Sequence, residues 1–517
     1  MWVQPEHVIG IVGDGFVDVR TGEPFVPRGA NYLTRVLVGG GYQDRTLSPA
    51  VFDRDRTDGD FAELSERGYN VVRVFLDTCS SGPACAGNPS GAGLNPAYLD
   101  TIVEFMEVAR DRGIFILFTS NDLPDQGGYW AISDEDNVEG VFPGYRNSHY
   151  LTASGERAAV TYWGDLLAGL VERQAPFDVV LAWSILNEQW MFTDQPPLSL
   201  AEGEVTTKTG TYDMADPAAR RQMVVDGMRS YLASVTDEIK RFDPTGLVTS
   251  GFFAPQFPNP TGIGGSWYVD TAPLVVDSAL DFFDFHAYPG EDIPMDQIAE
   301  NFGLPSDKPV ILGEYGAFID RYPEIDGAAI ATQAWVAQSC DVGFDGWLYW
   351  EYAPASLSVG DATWALIADD DLLLDAFSPA AQPDPCIPTL VDPNIAVGAD
   401  VSASRSLPDE PAVAAVDGNP ATQWGSGAEP RQWIEIDLGA DTEIGSVELL
   451  VAQFPEGRTV HVISIDGVEV HTFEGDTAEN DVLAWSPDMP IAGQVIRVTT
   501  TVSPSWVSWK EVRILRP

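Results

Sequence analysis

Ionisable and amide side chains lie at or near the ends of several apolar runs. Asn187 and Glu188 end the run VVLAWSILNE, and Glu314 closes VILGE. Two carboxylates on different strands suit glycoside hydrolysis, because one carboxyl group protonates the leaving oxygen while the other attacks or stabilises the anomeric carbon. His286 in FHAY and Arg73 in VVRVFL add polar groups to two further runs. These residue types indicate acid–base chemistry on a sugar.

Eight runs of apolar, β-branched or aromatic residues predict the strands that position these groups. Amphipathic stretches such as 95–112 and 218–241 separate them, which predicts βα units and a parallel sheet. We therefore expect an α/β fold, a (β/α)₈ TIM barrel, with its active site at the C-terminal ends of the strands. No glycine-rich phosphate loop supports the competing doubly wound sheet. The runs are 26–33, 69–76, 114–121, 179–188, 247–253, 281–289, 309–317 and 344–352, preceded by an extra hairpin over 16–25.

The sequence changes character after a Pro-rich segment. Residues 381–393, AQPDPCIPTLVDP, lack apolar periodicity and predict a linker. Beyond it, 394–517 contains short alternating runs such as WIEIDLG and VIRVTTT, which predict an all-β sandwich. The expected organisation is a barrel domain over 1–380, a linker over 381–393 and a sandwich over 394–517.

Composition narrows the class of partner. The chain has 517 residues, with 28 Lys and Arg against 78 Asp and Glu, a formal charge of −50. This charge argues against nucleic acid and anionic membranes, because both bind cationic patches. No apolar stretch is long enough for a transmembrane helix. The start MWVQPEH does not resemble a signal peptide, so we expect either a cytosolic protein or a mature secreted form with an added Met1.

The four cysteines indicate an oxidising compartment if they are paired. The favoured pairing of the three possible is Cys79 with Cys85 and Cys340 with Cys386, and four unpaired thiols are the alternative. Zinc is not expected, because the sequence has no CxxC pair and only five histidines. No interface signal occurs in the sequence, so we expect a monomer.

The motifs WSILNE, FHAY, LGEYG and LYWEY occur in the order that clan A glycoside hydrolases use, and the sequence over about 10–380 most resembles glycoside hydrolase family 5. The resemblance implies a retaining mechanism with Glu188 as general acid/base and Glu314 as nucleophile. It implies secretion and no organic cofactor.

The same resemblance implies a set of substrate-binding residues. Asn187 would bind the sugar 2-hydroxyl, and His286 would orient Glu188. Tyr288 and Arg73 would position the nucleophile, with Arg73 keeping it ionised. Trp350 would form the floor of the −1 subsite.

One expected feature is missing. Family 5 enzymes usually carry a histidine near the end of strand three, where this chain reads FTSND. Asn121 or His149 could replace it.

The substrate is less constrained by the sequence. The early hairpin and GYNVVRVFL favour a β-mannan or β-glucan. Aromatic residues after strand ends are candidate sugar platforms, because C–H faces of sugars stack on rings. These residues are Trp130, Trp190, Trp267 and Tyr315. An exo-acting β-glycosidase, a transglycosylase and a non-catalytic carbohydrate-binding protein with a degenerate barrel are the alternatives.

The sandwich segment resembles discoidin-like (coagulation factor 5/8 type C) domains, which overlap with family 32 carbohydrate-binding modules. AVDGNPATQW, WIEIDLG and WKEVRIL carry the resemblance. It implies carbohydrate binding and a structural Ca²⁺ held by Asp417, Thr422 and Glu511, and oxygen ligands suit this hard cation. A simple turn over 417–419 is the alternative. Trp424 and Trp433 are expected in the core, and Trp506 is the candidate exposed sugar platform.

Overall fold

A computed structural model describes residues 4–38, 41–76, 84–253, 267–289, 293–305, 307–353, 363–390, 394–420, 422–487 and 489–516. The chain forms two compact units. The first comprises Met1–Gly316 and Thr332–Thr389, and the second comprises Ala317–Ala331 and Leu390–Pro517.

The first unit contains a parallel β-barrel, which confirms the predicted fold class. Strand five is broken at Ser250 into two halves, and each half pairs with a different neighbouring strand. Leu247–Thr249 pairs with strand four, and Gly251–Phe253 pairs with strand six. The eight strands are Arg28–Tyr32, Val71–Leu76, Phe115–Ser120, Val180–Ser184, the split strand five, Phe283–His286, Val310–Tyr315 and Trp347–Tyr352.

Helices follow the strands, and their ends are set by capping residues. Asn95 accepts a hydrogen bond from Ala97 N, Pro96 is the first helical residue, and Gly113 ends that helix in the left-handed conformation. The helices are Arg54–Glu66, Pro96–Arg112, Tyr129–Ser133, Arg146–Leu151, Ala153–Glu172, Pro217–Phe242, Thr271–Val275, Met295–Phe302, Ile325–Asp341 and Leu372–Ala376, with 3₁₀ turns at Asp134–Asp136 and Phe177–Val179.

An N-terminal hairpin closes the end of the barrel opposite to the C-terminal strand ends. Ile9–Val12 pairs with Gly15–Asp18, and Ile9 and Phe16 pack on Leu117 and other inward-facing side chains. The hairpin predicted over 16–25 is present as a bridge between Val17 and Pro24, flanked by backbone hydrogen bonds from Phe25 N to Phe16 O and from Asp18 N to Glu23 O.

Shorter strand pairs lie in the loops. They are Arg35–Val38 with Gly41–Asp44, Glu204–Thr206 with Thr211–Asp213, and Met191–Phe192 with Trp267–Tyr268. The Cys340–Cys386 disulfide is confirmed, with its Cα atoms 5.8 Å apart. Cys79 lies outside the described residues. None of the helices in the described ranges is long and apolar enough to cross a bilayer.

The second unit contains two antiparallel sheets, as predicted for an all-β sandwich. Trp424 and Trp509 lie fully buried among aliphatic side chains from both sheets. The five-stranded sheet contains Asp400–Ala403, Gln432–Ile444, Ile491–Val502, Gly457–Ile465 and Val468–Thr477. The four-stranded sheet contains Trp424–Gly425, Ser508–Leu515, Ser446–Val451 and Val482–Trp485, and a 3₁₀ turn spans Ala412–Ala415.

Candidate active site

Strand alternation brings the predicted catalytic groups to one end of the barrel interior. Side chains two residues apart share a face of a strand, so Asp284 and His286 point the same way. His286 is paired in register with Glu314 on the neighbouring strand. The two carboxylates predicted to be catalytic, Glu188 and Glu314, have carboxylate oxygens within 4.8 Å of each other.

Glu314 is buried and held by two donors. Nη1 of Arg73 lies 2.9 Å from one carboxylate oxygen, and the hydroxyl of Tyr288 donates to the other at 2.8 Å. These contacts fix the orientation of the carboxylate, as the predicted roles of Arg73 and Tyr288 require.

Glu188 is more accessible than Glu314. Its side chain is 26% exposed, whereas that of Glu314 is 6% exposed. Nδ1 of His286 lies 3.0 Å from Oε1 of Glu188, so His286 is placed to orient this carboxyl group. An accessible carboxyl group can exchange its proton with solvent, which a general acid/base needs between the two halves of a double displacement.

Arg73 is the centre of a buried polar network. Besides Glu314, it donates to Asn31 Oδ1 at 2.9 Å and to Asn187 Oδ1 at 2.8 Å. Its Nε lies 3.3 Å from Oδ2 of Asp284. Neither Asn31 nor Asp284 was predicted as a site residue, although a polar residue within an apolar strand was the available signal for both.

Burial and charge compete in setting the protonation of this network. Burial raises the pKa of Glu314, although the charges of His286 and Arg73 and the Tyr288 hydrogen bond oppose the shift. Burial outweighs the charge of Arg73, which favours the ionised form of Glu314. For His286, burial alone would lower the pKa, yet the charges of Glu314 and Asp284 raise it to about 9.

Glu188, His286 and Glu314 are also close enough to share a metal ion. Their existing partners favour a hydrogen-bonded site instead. Arg73 and Tyr288 already donate to the two oxygens of Glu314, and Nδ1 of His286 is hydrogen-bonded to Oε1 of Glu188. The arrangement is suited to moving protons between a carboxyl group and a bound hydroxyl or glycosidic oxygen.

Trp350 packs beside Phe75, whose ring lies 5.1 Å from the guanidinium of Arg73. It lies in strand eight, is partly buried, and packs edge-on against Phe75 with ring centroids 5.9 Å apart. The guanidinium of Arg35 lies 5.8 Å from its ring and also pairs with Glu351. The peptide between Trp350 and Glu351 is cis.

The end of strand three is approached by His149. Its Nδ1 lies 3.6 Å from Oδ1 of Asp122, whereas Asn121 is exposed. His149 is buried, and its Nε2 makes no hydrogen bond within the described part of the chain. This placement favours His149 over Asn121 as the replacement for the missing strand-three histidine.

Aromatic side chains line the loop that follows Glu188. Trp267 is 54% exposed and stacks on the buried Trp190 with ring centroids 4.7 Å apart. Arg146 lies 4.0 Å from the centroid of Trp190 and donates to the backbone carbonyl of Glu188 at 2.8 Å. Trp267 therefore fits a sugar platform, with Trp190 as its support.

Tyr315 does not fit the predicted platform role. It is buried and packs against Tyr349 and Phe377. Strand alternation explains the error, because the residue after the inward-facing Glu314 must point outward.

In the second unit, Asp417, Thr422 and Glu511 lie around one turn. The hydroxyl of Thr422 lies 2.8 Å from Oδ2 of Asp417 and within 3.3 Å of the carbonyl oxygens of Ala414 and Asn419. Glu511 accepts from Gly418 N at 3.3 Å. This set of oxygen atoms fits a hard cation such as Ca²⁺.

Two exposed rings lie on neighbouring turns of the same unit. Trp506 is 54% exposed and Phe454 is 87% exposed. The turns are adjacent, because a Cβ atom on Gly457 would lie 3.2 Å from Pro504. Trp424 is in the core as predicted, and Trp433 is partly buried beneath the guanidinium of Arg497. Phe454 was not predicted from the sequence.

Comparison with known proteins supports both folds. Residues 400–512 match the family model of the F5/8 type C domain. The family 32 carbohydrate-binding module of C. perfringens NanJ, solved with galactose, is 25% identical, with 22% of this chain and 91% of that chain covered and a TM-score of 0.20. No curated protein matches the sequence.

Solved β-mannanases resemble the larger part of the chain. The endo-1,4-β-mannanase of Rhizomucor miehei is 19% identical over 73% of this chain and 99% of that chain, with a TM-score of 0.52. The β-mannanase of the blue mussel Mytilus edulis is 15% identical over 74% of this chain and 98% of its own, with a TM-score of 0.45. At 19% identity, the likeness to the Rhizomucor miehei enzyme shows a shared barrel fold.

Proposed function

We propose that the chain is a retaining glycoside hydrolase that cleaves β-linked polysaccharide or oligosaccharide, with β-mannan favoured. Glu314 attacks the anomeric carbon while Glu188 donates a proton to the leaving oxygen. Glu188 then removes a proton from the water that releases the sugar. The net reaction is hydrolysis of one glycosidic bond by one water molecule, with the anomeric configuration kept.

The distance between the two carboxylates carries this proposal. One carboxylate oxygen of Glu188 lies within 4.8 Å of one carboxylate oxygen of Glu314, which places the two groups in the closer of the two ranges that glycosidases use. Retaining enzymes have carboxyl groups about 5–5.5 Å apart, whereas inverting enzymes keep about 6.5–9.5 Å to admit a water molecule. The separation favours direct attack by Glu314.

The preference for β-mannan as substrate is supported separately from the reaction. It combines the sequence resemblance with a barrel fold shared with an endo-1,4-β-mannanase. The exposed ring of Trp267 stands on the Glu188 side, where a leaving sugar would stack. Substitution of Trp267 should therefore lower kcat/KM for long oligosaccharides more than for aryl glycosides.

The proposal is tested by the products formed from a panel of substrates. The panel contains β-mannan, β-glucans and aryl β-glycosides, and the anomer released first is read by proton NMR before mutarotation. We expect the β-anomer. The α-anomer as first product would overturn the retaining mechanism, and binding without turnover of any substrate would favour the non-catalytic alternative.

We also propose that Asp417, Thr422 and Glu511, with carbonyl oxygens of the same turn, bind a structural Ca²⁺. A ligand that binds only the folded state stabilises it by about 2.7 kcal/mol at 100 times its Kd. Removing Ca²⁺ with EGTA should lower the melting temperature of the unit, and adding Ca²⁺ should restore it. The variant Asp417→Asn should melt early and respond to neither reagent. An equal EGTA effect on Asp417→Asn would contradict the site.

The exposed rings of Trp506 and Phe454 are proposed as the polysaccharide contact of the second unit. The stack of a sugar on the ring is lost when the ring is removed, so Trp506→Ala should weaken binding to insoluble polysaccharide about tenfold. Turnover of soluble aryl glycosides should be unchanged. Val468→Ala, which removes another exposed apolar side chain of the same unit, is the control and should bind normally. Equal retention of Trp506→Ala and the unsubstituted protein would exclude this surface.

A further inference from the structure

We propose that Asp284 is a positioning residue whose carboxylate bridges Arg73 and His286. It thereby keeps Arg73 in contact with Glu314 and His286 in contact with Glu188. This inference rests on the proposed function. Asp284 lies in strand six and is fully buried.

The bridge is visible in the distances. Oδ2 of Asp284 lies 3.3 Å from Nε of Arg73, and Oδ1 lies 3.5 Å from Nε2 of His286. Oδ1 makes no hydrogen bond among the described residues, so its contact with His286 is an ion-pair distance. The two side chains that Asp284 contacts are the ones that reach Glu314 and Glu188.

The bridging charge answers an electrostatic problem. Nη2 of Arg73 is hydrogen-bonded to Nε2 of His286 at 3.2 Å, and because a guanidinium can only donate, this contact uses the lone pair of Nε2. A proton on Nε2 would instead place two cations side by side in a buried site. Two buried like charges at this distance repel strongly unless a counter-charge lies between them. Asp284 supplies that counter-charge, and the charges of Arg73 and His286 hold its own pKa down although burial would raise it.

The surrounding backbone keeps space for this carboxylate. A Cβ atom on Gly313 would lie 1.6 Å from Oδ1 of Asp284. Gly313 immediately precedes Glu314, so the carboxylate packs against the backbone of the strand that carries the nucleophile. Any larger residue at 313 would displace either Asp284 or Glu314.

The charged groups around His286 set the expected pH effect. They are Asp284 on its own strand, Arg73 on strand two, Glu314 on strand seven and Glu188 after strand four. Removing one negative charge lowers the proton affinity of the whole coupled cluster. In Asp284→Asn, His286 should lose its proton at lower pH, and the alkaline limb of the kcat/KM profile should move the same way.

The test follows His286 by NMR of ¹³C-labelled histidine, with His286→Gln identifying its signal among the five histidines. In the unsubstituted protein we expect a midpoint near pH 9. In Asp284→Asn it should fall by about one unit or more, as for loss of a neighbouring charge. The alkaline limb of kcat/KM should shift with it, and kcat should fall more than KM changes.

Asp281→Asn is the matched control. Asp281 precedes the same strand and binds Lys240 and Val248 N, away from the catalytic carboxylates. This variant should leave both the His286 midpoint and the pH profile in place. An unshifted midpoint in Asp284→Asn would overturn the inference and leave Asp284 a structural residue.

The titration separates this inference from the proposed function, because it needs no substrate. A protein inactive on every substrate would end the hydrolase proposal, while the His286 midpoints would still decide the role of Asp284. If Asp284→Asn does not fold, Asp284→Ser is measured instead. A midpoint at or below pH 6.5 in the unsubstituted protein would overturn the inference without any variant.

Discussion

Glu314→Gln is expected to lower kcat by roughly 10⁴- to 10⁶-fold, the range seen when a covalent nucleophile is removed. The amide is the same size as the carboxylate and can keep a hydrogen bond with Tyr288, so the fold should persist. It cannot form the glycosyl ester, and the first half of the double displacement is therefore blocked. The measurement is kcat on the best substrate of the panel, with thermal melting alongside.

A second buried carboxylate provides the control for this variant. Asp243 is also fully buried in the barrel unit, where it binds His7 and the indole nitrogen of Trp183 near the start of strand four. Asp243→Asn should lower the melting temperature while leaving kcat per folded molecule close to that of the unsubstituted protein. Activity within tenfold of normal in Glu314→Gln would remove Glu314 from the nucleophile role.

The barrel could be predicted because its strands are marked locally. Runs such as VVRVFL and IFILFTS are too apolar for surface loops, and the helices between them carry capping residues such as Asn95. The order of the motifs then places Glu188 and Glu314 at the same end of the barrel. This part of the site depends only on strand direction.

The network that supports the carboxylates depends on pairings that the sequence does not encode locally. Arg73 contacts Asp284 and Glu314, which are 211 and 241 residues away along the chain. Asp284 was visible as a charge inside an apolar run, but its partner was not. The break in strand five has the same origin, because closing the barrel requires each half to pair with a different neighbour.

Errors in the interpretation of aromatic residues arose from orientation. Tyr315 lies near the end of the predicted run 309–317 and Trp267 follows the run 247–253, yet Tyr315 is buried and Trp267 is exposed. Closeness to a strand end does not show which ring is exposed, whereas the alternation set by Glu314 would have assigned Tyr315 outward. Candidate platforms are better judged from the nearest residue of known orientation than from their distance to a strand end.

Glu188→Ala should separate the two halves of the reaction. Loss of the general acid should reduce kcat/KM on polysaccharide by about 10²- to 10⁴-fold, because the sugar leaving group needs a proton. An acidic phenol leaves as its phenolate without that proton, so formation of the glycosyl–Glu314 ester from such aryl glycosides should be nearly unaffected. The second half should then be slow, because no base activates water, and the ester should accumulate as a burst of released phenol.

Azide makes this prediction specific for the role of Glu188. It is a nucleophile that needs no general base, so it should restore turnover in Glu188→Ala and give the β-glycosyl azide by attack on the ester. In Glu314→Ala, azide should instead enter the space of the lost carboxylate and give the α-glycosyl azide. Opposite configurations from the two variants would assign the acid/base and the nucleophile together, whereas an α-product from Glu188→Ala would exchange the two roles.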